Sequence, residues 1–187
     1  MNKIAYIHGF NSGAYPEGSK VQELVENFEV VHIQYDSFAD FDTIKQDLIN
    51  QCKDCDMVIG TSLGAYWACV VGNYLALPVV AINPAYNPNK QLSTRINVEM
   101  VNYVTNEKKF LTQMAVDSYQ HDMFEIIKKS FFKPMVAYDK GDEVVKGLEV
   151  FEKHPLVYKT VSFDGGSHRF DHMKELMPHI IKYYNIT

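Results

Sequence analysis

Short, mostly apolar runs alternate along this chain with segments of helical period, and that alternation restricts the architecture more than any other feature. Residues 4–7, 30–33, 57–59 and 79–82 are strand-like, and 134–138 and 158–163 continue the series. Between them, Val21, Leu24, Val25 and Phe28 recur at helical spacing, as do Phe41, Ile44, Leu48 and Ile49. Residues 62–74 read as a helix rich in alanine and aromatics, and the pattern predicts two more helices, over 144–153 and 172–184. Strands that are apolar throughout have no face to show water, so they belong in a parallel sheet covered by helices on both sides. The expected fold class is α/β, with a mostly parallel sheet of about six strands, right-handed crossovers and a single domain over 1–187.

One stretch breaks the rhythm. Residues 87–133 contain no strand-like run, and 98–129 are helical in pattern but polar. A helical insertion of this size after the fourth strand is expected to be either a lid over the strand ends or an extra packing layer.

Composition removes several classes of function. With 23 Asp and Glu against 18 Lys and Arg, the net charge is −5, and the Lys108-Lys109 and Lys128-Lys129 doublets are isolated. That balance argues against nucleic acid or an anionic membrane as the partner. No apolar run approaches the roughly 18–20 residues of a membrane span. The first residues lack the apolar core of a signal peptide, so a cytoplasmic location is expected. The three cysteines suit a reducing compartment. Cys52 and Cys55 form a C-x-x-C, but no second pair stands at zinc-binding spacing, and the pair ends a helical pattern, where a redox thiolate gains nothing from a helix N-terminus. They read as two free thiols.

Chemistry concentrates in four places. Gly60-Thr61-Ser62-Leu63-Gly64 is a G-x-S-x-G. Such a pattern arises by chance in roughly one chain in twenty of this length, so its context decides. It follows a strand and opens a helix, as a nucleophile elbow requires: the serine sits on a strained turn, and Gly60 and Gly64 let backbone pass closely. The competing reading is a glycine-rich turn with Ser62 as a plain N-cap. His8-Gly9-Phe10 ends the first strand. With Ser62 present, the Phe10 and Leu63 backbone N–H groups are candidates for an oxyanion hole; Gly9 frees the loop and His8 orders it. A serine nucleophile needs a base and an orienting acid, in the chain order Ser, acid, His. The loop at 139–143 offers Asp142, with Asp139 in reserve, and the glycine-rich loop at 164–168 offers His168. Both loops stand at strand C-terminal ends, where open α/β sheets build their sites. His168 and His172 are four apart, which would suit a metal on a helix face, but no H-E-x-x-H is present and Gly165-Gly166 favours a loop. The site is expected to need no metal and no organic cofactor. Tyr66 and Trp67 are expected in the core.

Assembled, these pieces resemble the α/β-hydrolase superfamily, and more narrowly the small bacterial YqiA-like esterase family. The resemblance rests on 7–12 (IHGFNS), 60–66 (GTSLGAY), Asn83-Pro84-Ala85, 141–144 (GDEV) and 165–170 (GGSHRF), in the family's order and across nearly the whole chain. It implies a compact α/β-hydrolase with Ser62 as nucleophile, Asp142 as acid and His168 as base, acting on a small-molecule ester. It is weak over 87–133, so it carries no substrate preference. A thioesterase or amidase would use the same triad, and a non-catalytic binding or regulatory protein on this scaffold is the reading from another class. Oligomeric state is left open.

Overall fold

The computed structural model describes residues 2–187. Six strands form one sheet: β1 (Lys3–Ile7), β2 (Glu29–Ile33), β3 (Met57–Thr61), β4 (Val79–Ile82), β7 (Met135–Asp139) and β8 (Lys159–Phe163). Their spatial order is β2-β1-β3-β4-β7-β8, and every pairing is parallel. Two further strands, β5 (Glu99–Val101) and β6 (Lys108–Phe110), pair antiparallel with each other, away from the main sheet.

The apolar runs sort by the two-residue period of a pleated strand. Ile4, Tyr6, Met57, Ile59, Val80 and Ile82 face one side, where they meet α1 (Ser19–Val25) and α7 (Met173–Tyr184). Ala5, Ile7, Val58 and Ala81 face the other, against α2 (Phe41–Cys52) and α3 (Leu63–Leu75). Each fully buried aliphatic side chain stabilises the fold by roughly 1.5–3 kcal/mol, so this alternation sets the strand register. The first three turns of α3 are buried on every side, because α5 (Gln113–Asp117) and α6 (Met123–Ile127) cover the face turned away from the sheet. Tyr66 and Trp67 are fully buried there; the Tyr66 hydroxyl donates to the His121 carbonyl at 2.9 Å, and the Trp67 ring lies against Phe41 and Tyr119.

Three expectations need correction. Residues 87–133 are not purely helical. They hold α4 (Pro88–Leu92), a 3-10 turn (Ser93–Arg95), the β5–β6 hairpin, α5 and α6. Strands of three residues with alternating exposure are too short to register as a strand period. The helix expected over 144–153 shrinks to a 3-10 turn, Leu148–Phe151. Gly147 at φ 77° interrupts it, and the Asp142 carboxylate takes the Val144 and Val145 N–H groups into a turn of its own. β3 runs on through Gly60 to Thr61, so the strand reaches the serine itself.

Cys52 closes α2 and lies buried and free, as do Cys55 and Cys69. Burial pushes the Cys52 thiol up to about 12, far from the thiolate that metal or redox chemistry requires. Among the described residues no helix is long and apolar enough to cross a membrane.

Candidate active site

Ser62 occupies the step from β3 into α3. Its backbone stands at φ 55°, ψ −123°, a conformation that costs a non-glycine residue about 1–3 kcal/mol. Three hydrogen bonds hold it there. The Ser62 N–H donates to the Ile82 carbonyl at 2.9 Å, and the Ser62 carbonyl accepts from the Ala65 and Ala85 N–H groups, each at 3.0 Å. The tight step also needs its two glycines. A Cβ on Gly60 would collide with the Gly64 carbonyl, and one on Gly64 would collide with the Ile7 and His8 carbonyls.

The loops after β7 and β8 bring the remaining groups to the same edge. The Ser62 hydroxyl donates to His168 Nε2 at 3.0 Å, and His168 Nδ1–H donates to Asp142 Oδ2 at 2.8 Å. The Asp142 side chain is 2% exposed and that of His168 is 21% exposed, so the carboxylate is shielded while the imidazole opens to the cavity. Asp142 is itself fixed, because its Oδ1 accepts from the Val144 and Val145 N–H groups, both at 2.8 Å.

Asp139, the reserve acid in the sequence, does not approach His168's ring. It is the last residue of β7, fully buried, and it anchors the His168 loop. Its Oδ2 accepts from the Ser167 N–H at 3.2 Å and the Asp171 N–H at 2.7 Å, and its Oδ1 accepts from His172 Nδ1–H at 2.7 Å. That hydrogen bond raises the His172 imidazole above its ordinary value. His168 and His172 are therefore paired with different aspartates. Asn83, seen in the sequence at the end of the fourth strand and within the Asn83-Pro84-Ala85 motif, does related work. It is fully buried, and its side-chain amide donates to the Ser167 and His168 carbonyls at 3.0 and 3.1 Å while its Oδ1 accepts the Asp139 N–H at 2.9 Å. Its signal in the sequence is an asparagine at a strand end, before a proline, which marks a special backbone but not its partner.

His8 follows β1 and is buried, stacked on Tyr35 with ring centroids 4.5 Å apart. Its Nδ1–H donates to the Gly9 carbonyl at 2.8 Å. A trans peptide points its C=O and N–H in opposite directions, so drawing the Gly9 carbonyl toward the imidazole turns the Phe10 N–H away from it. No hydrogen bond among the described residues engages the Phe10 or the Leu63 N–H. Both residues line the cavity that Ser62 and His168 share, about 600 Å³ in volume. Asn11 follows at φ 54°; its side chain donates to the Val101 carbonyl at 2.9 Å, which ties this loop to the β5–β6 hairpin. The arrangement joins a strained serine, a hydrogen-bonded imidazole and carboxylate, and two uncommitted N–H donors, the parts that acyl transfer requires.

Burial lowers the His8 imidazole from near 6.5 to about 4, because a charge there would lose its water. The sign follows directly. Above pH 6.5 both folded and unfolded chains hold His8 neutral, whereas between 6.5 and 4 only the unfolded chain binds the proton. Stability is complete above the upper value and falls as pH drops toward the lower one, by on the order of 3 kcal/mol. Urea unfolding of the wild type and His8→Phe across this interval is expected to show a shallower pH dependence in the variant; equal slopes would remove His8 as the cause.

A parallel sheet with a serine at the sharp turn between a central strand and its helix, and with the histidine and aspartate supplied by the loops after the last two strands, is the α/β-hydrolase fold. Among solved structures, Est1E from Butyrivibrio proteoclasticus superposes with a TM-score of 0.71 at 18% identity, over 99% of this chain and 87% of that one. A monoacylglycerol lipase from Paleococcus ferrophilus superposes at 0.69 with 12% identity, over 97% and 93%. Within that fold, the family described as "Uncharacterised protein family (UPF0227)" matches residues 3–185, and the chain belongs to this family. A UPF0227 protein of Shewanella baltica is 20% identical over 185 residues, 95% of this chain and 96% of the relative.

Proposed function

We propose that the chain is a serine hydrolase that cleaves small carboxylic esters through Ser62, His168 and Asp142. The observation that carries this reading is the unbroken hydrogen-bond chain from Ser62 Oγ through both nitrogens of His168 to Asp142 Oδ2, at 3.0 and 2.8 Å. The lipase name of one of its structural neighbours agrees with it.

In this mechanism His168 Nε2 takes the hydroxyl proton as Ser62 Oγ attacks the ester carbonyl. Asp142 holds the proton on Nδ1, which keeps Nε2 free as the acceptor, and stabilises the imidazolium that forms. The carbonyl oxygen becomes an oxyanion and is bound by the Phe10 and Leu63 N–H groups; one such donor contributes about 3–4 kcal/mol to the transition state. Collapse of the tetrahedral intermediate breaks the bond to the alkoxy oxygen, which leaves as alcohol with the proton from His168. Water then attacks the acyl-enzyme by the same route, giving the acid and restoring Ser62. The strain at Ser62 holds Oγ exposed at the cavity, and the three hydrogen bonds on its peptide groups maintain it.

Fluorophosphonate labelling of wild type and Ser62→Ala, read by intact mass and peptide mapping, tests this. A single adduct on Ser62, absent in the variant, is expected. Folded wild-type protein that takes no adduct would overturn the proposal and favour a binding role for the scaffold.

A further inference from the structure

The cavity beside Ser62 carries a charge opposite to that of the whole chain. Three cations line it, Lys90 from α4, Arg95 from the following 3-10 turn and Lys146 from the loop after β7, and no Asp or Glu does. The chain has more acids than bases and a net charge of −5, so its bulk composition does not explain this local reversal. The cations are also uncommitted. Among the described residues none of the three is ion-paired, whereas Lys108, Lys109 and Lys140 each hold a carboxylate. Lys146 Nζ donates to the Asp142 main-chain carbonyl at 2.8 Å, a neutral acceptor that leaves its charge uncompensated. The acids nearest the site are already engaged: Asp142 accepts from the His168 ring, and Glu143 accepts the His168 N–H at 3.0 Å. Apolar side chains, Leu63, Leu92 and Met100 among them, share the lining with neutral polar ones such as Asn87, Gln91 and Thr94.

Like-charged groups around one concave, partly apolar space repel each other in its empty state and concentrate counter-charge within it. Arginine matches a carboxylate or phosphate with two parallel N–H donors. We propose that the site selects esters that carry an anionic group, carboxylate or phosphate, in addition to the scissile ester, with Lys90 and Arg95 as the residues that recognise it. This deepens the serine-hydrolase reading and rests on it for the reaction, but not for the binding preference.

Two matched pairs of probes separate the possibilities. The first compares 4-nitrophenyl hexanoate with the mono-4-nitrophenyl ester of adipic acid, which places a carboxylate on the acyl side. The second compares phenyl hexanoate with 4-(hexanoyloxy)phenyl phosphate, which places a phosphate on the leaving-group side. With three exposed cations acting together, kcat/KM for the anionic member of at least one pair is expected to be about tenfold higher. The anionic-to-neutral ratio is expected to fall toward unity in Lys90→Gln/Arg95→Gln and with added salt. Whichever pair shows the preference assigns the side on which the anion lies. Calorimetric binding of the same probes to Ser62→Ala gives the preference without turnover, so a protein that cleaves none of them still answers the question. Equal binding within both pairs, or a preference that survives the double substitution, overturns the proposal. Absence of turnover with anion-selective binding would instead count against the hydrolase reading alone.

Discussion

Asp142→Asn is expected to lower ester turnover by on the order of 10⁴-fold while the chain stays folded. The reason is a tautomer. Asp142 Oδ2 accepts from His168 Nδ1–H at 2.8 Å, which leaves Nε2 unprotonated and facing Ser62. An asparagine can keep its oxygen on the Val144 and Val145 N–H groups, as Asp142 Oδ1 does now. Its amide nitrogen then faces His168 as a donor and forces the ring to accept at Nδ1. The proton moves to Nε2, which can no longer take one from Ser62. The loss belongs in kcat, since nothing that holds the ground-state substrate has changed. Asp139→Asn is the contrasting variant. In the same orientation its oxygen keeps the Ser167 and Asp171 N–H groups and its amide nitrogen faces His172 Nδ1, on a ring that makes no hydrogen bond to Ser62, so the loss is that of the buried charge in these hydrogen bonds, at about 1–3 kcal/mol. That variant should lose stability first, with a smaller change in turnover. Steady-state kinetics and urea unfolding of both proteins decide between them. Turnover retained in Asp142→Asn and abolished in folded Asp139→Asn would reverse the roles assigned to the two acids.

Gly64→Ala is expected to give a large loss of stability from one added carbon. The new Cβ would collide with the Ile7 and His8 carbonyls, and main chain in a central strand cannot rotate aside as a long side chain can. Overpacking of this kind costs about 3 kcal/mol or more, against about 1 kcal/mol gained from the higher helix propensity of alanine. With a urea m-value of about 2–3 kcal/mol/M for a chain of this size, the midpoint should drop by close to ~1 M. Because Ile7 and His8 lead directly into Gly9 and Phe10, any accommodation also shifts the Phe10 N–H and lowers turnover. Gly165→Ala serves as the control. It stands at φ 72°, and a Cβ added there would meet nothing within 4 Å, so it carries only the roughly 1–2 kcal/mol cost of left-handed backbone. Equal midpoints for the two variants would show that the close approach at Gly64 relaxes freely.

Much of this fold is legible because its signals are local. The six strands of the main sheet lie within a residue or two of the apolar runs, since burial on both faces keeps the central strands almost wholly apolar, polar residues standing only at their ends, as Asp139 does in β7. The strand-to-helix step at Ser62 is legible for a steric reason, as a turn this tight demands small residues at 60 and 64. Where local pattern misleads, the deciding forces are distant. The segment 144–153 has the apolar spacing of a helix, but Asp142 holds its first N–H groups, and that aspartate is oriented in turn by a histidine 26 residues away. The β5–β6 hairpin takes support from the loop after β1 through Asn11 and Asn102, whose side chains reach the Val101 and Ser12 carbonyls. Partners some 90 residues apart in sequence leave no periodic trace.

By itself the sequence determined the layering, the place of the elbow and the edge of the sheet on which chemistry-bearing loops would gather, because steric exclusion and two-sided burial act within a few residues. The division of labour between Asp139 and Asp142, the clamp made by Asn83 and the cationic lining of the cavity were decided only in three dimensions. The order β2-β1-β3-β4-β7-β8 sets β7 between β4 and β8, so that Asn83, Asp139 and the His168 loop converge. The sequence ranks Asp142 ahead of Asp139 as the acid but does not show what either carboxylate holds. What separates them is that one ends a buried strand beneath the histidine loop while the other turns out beside the imidazole, and hydrogen-bond direction then gives each a different partner.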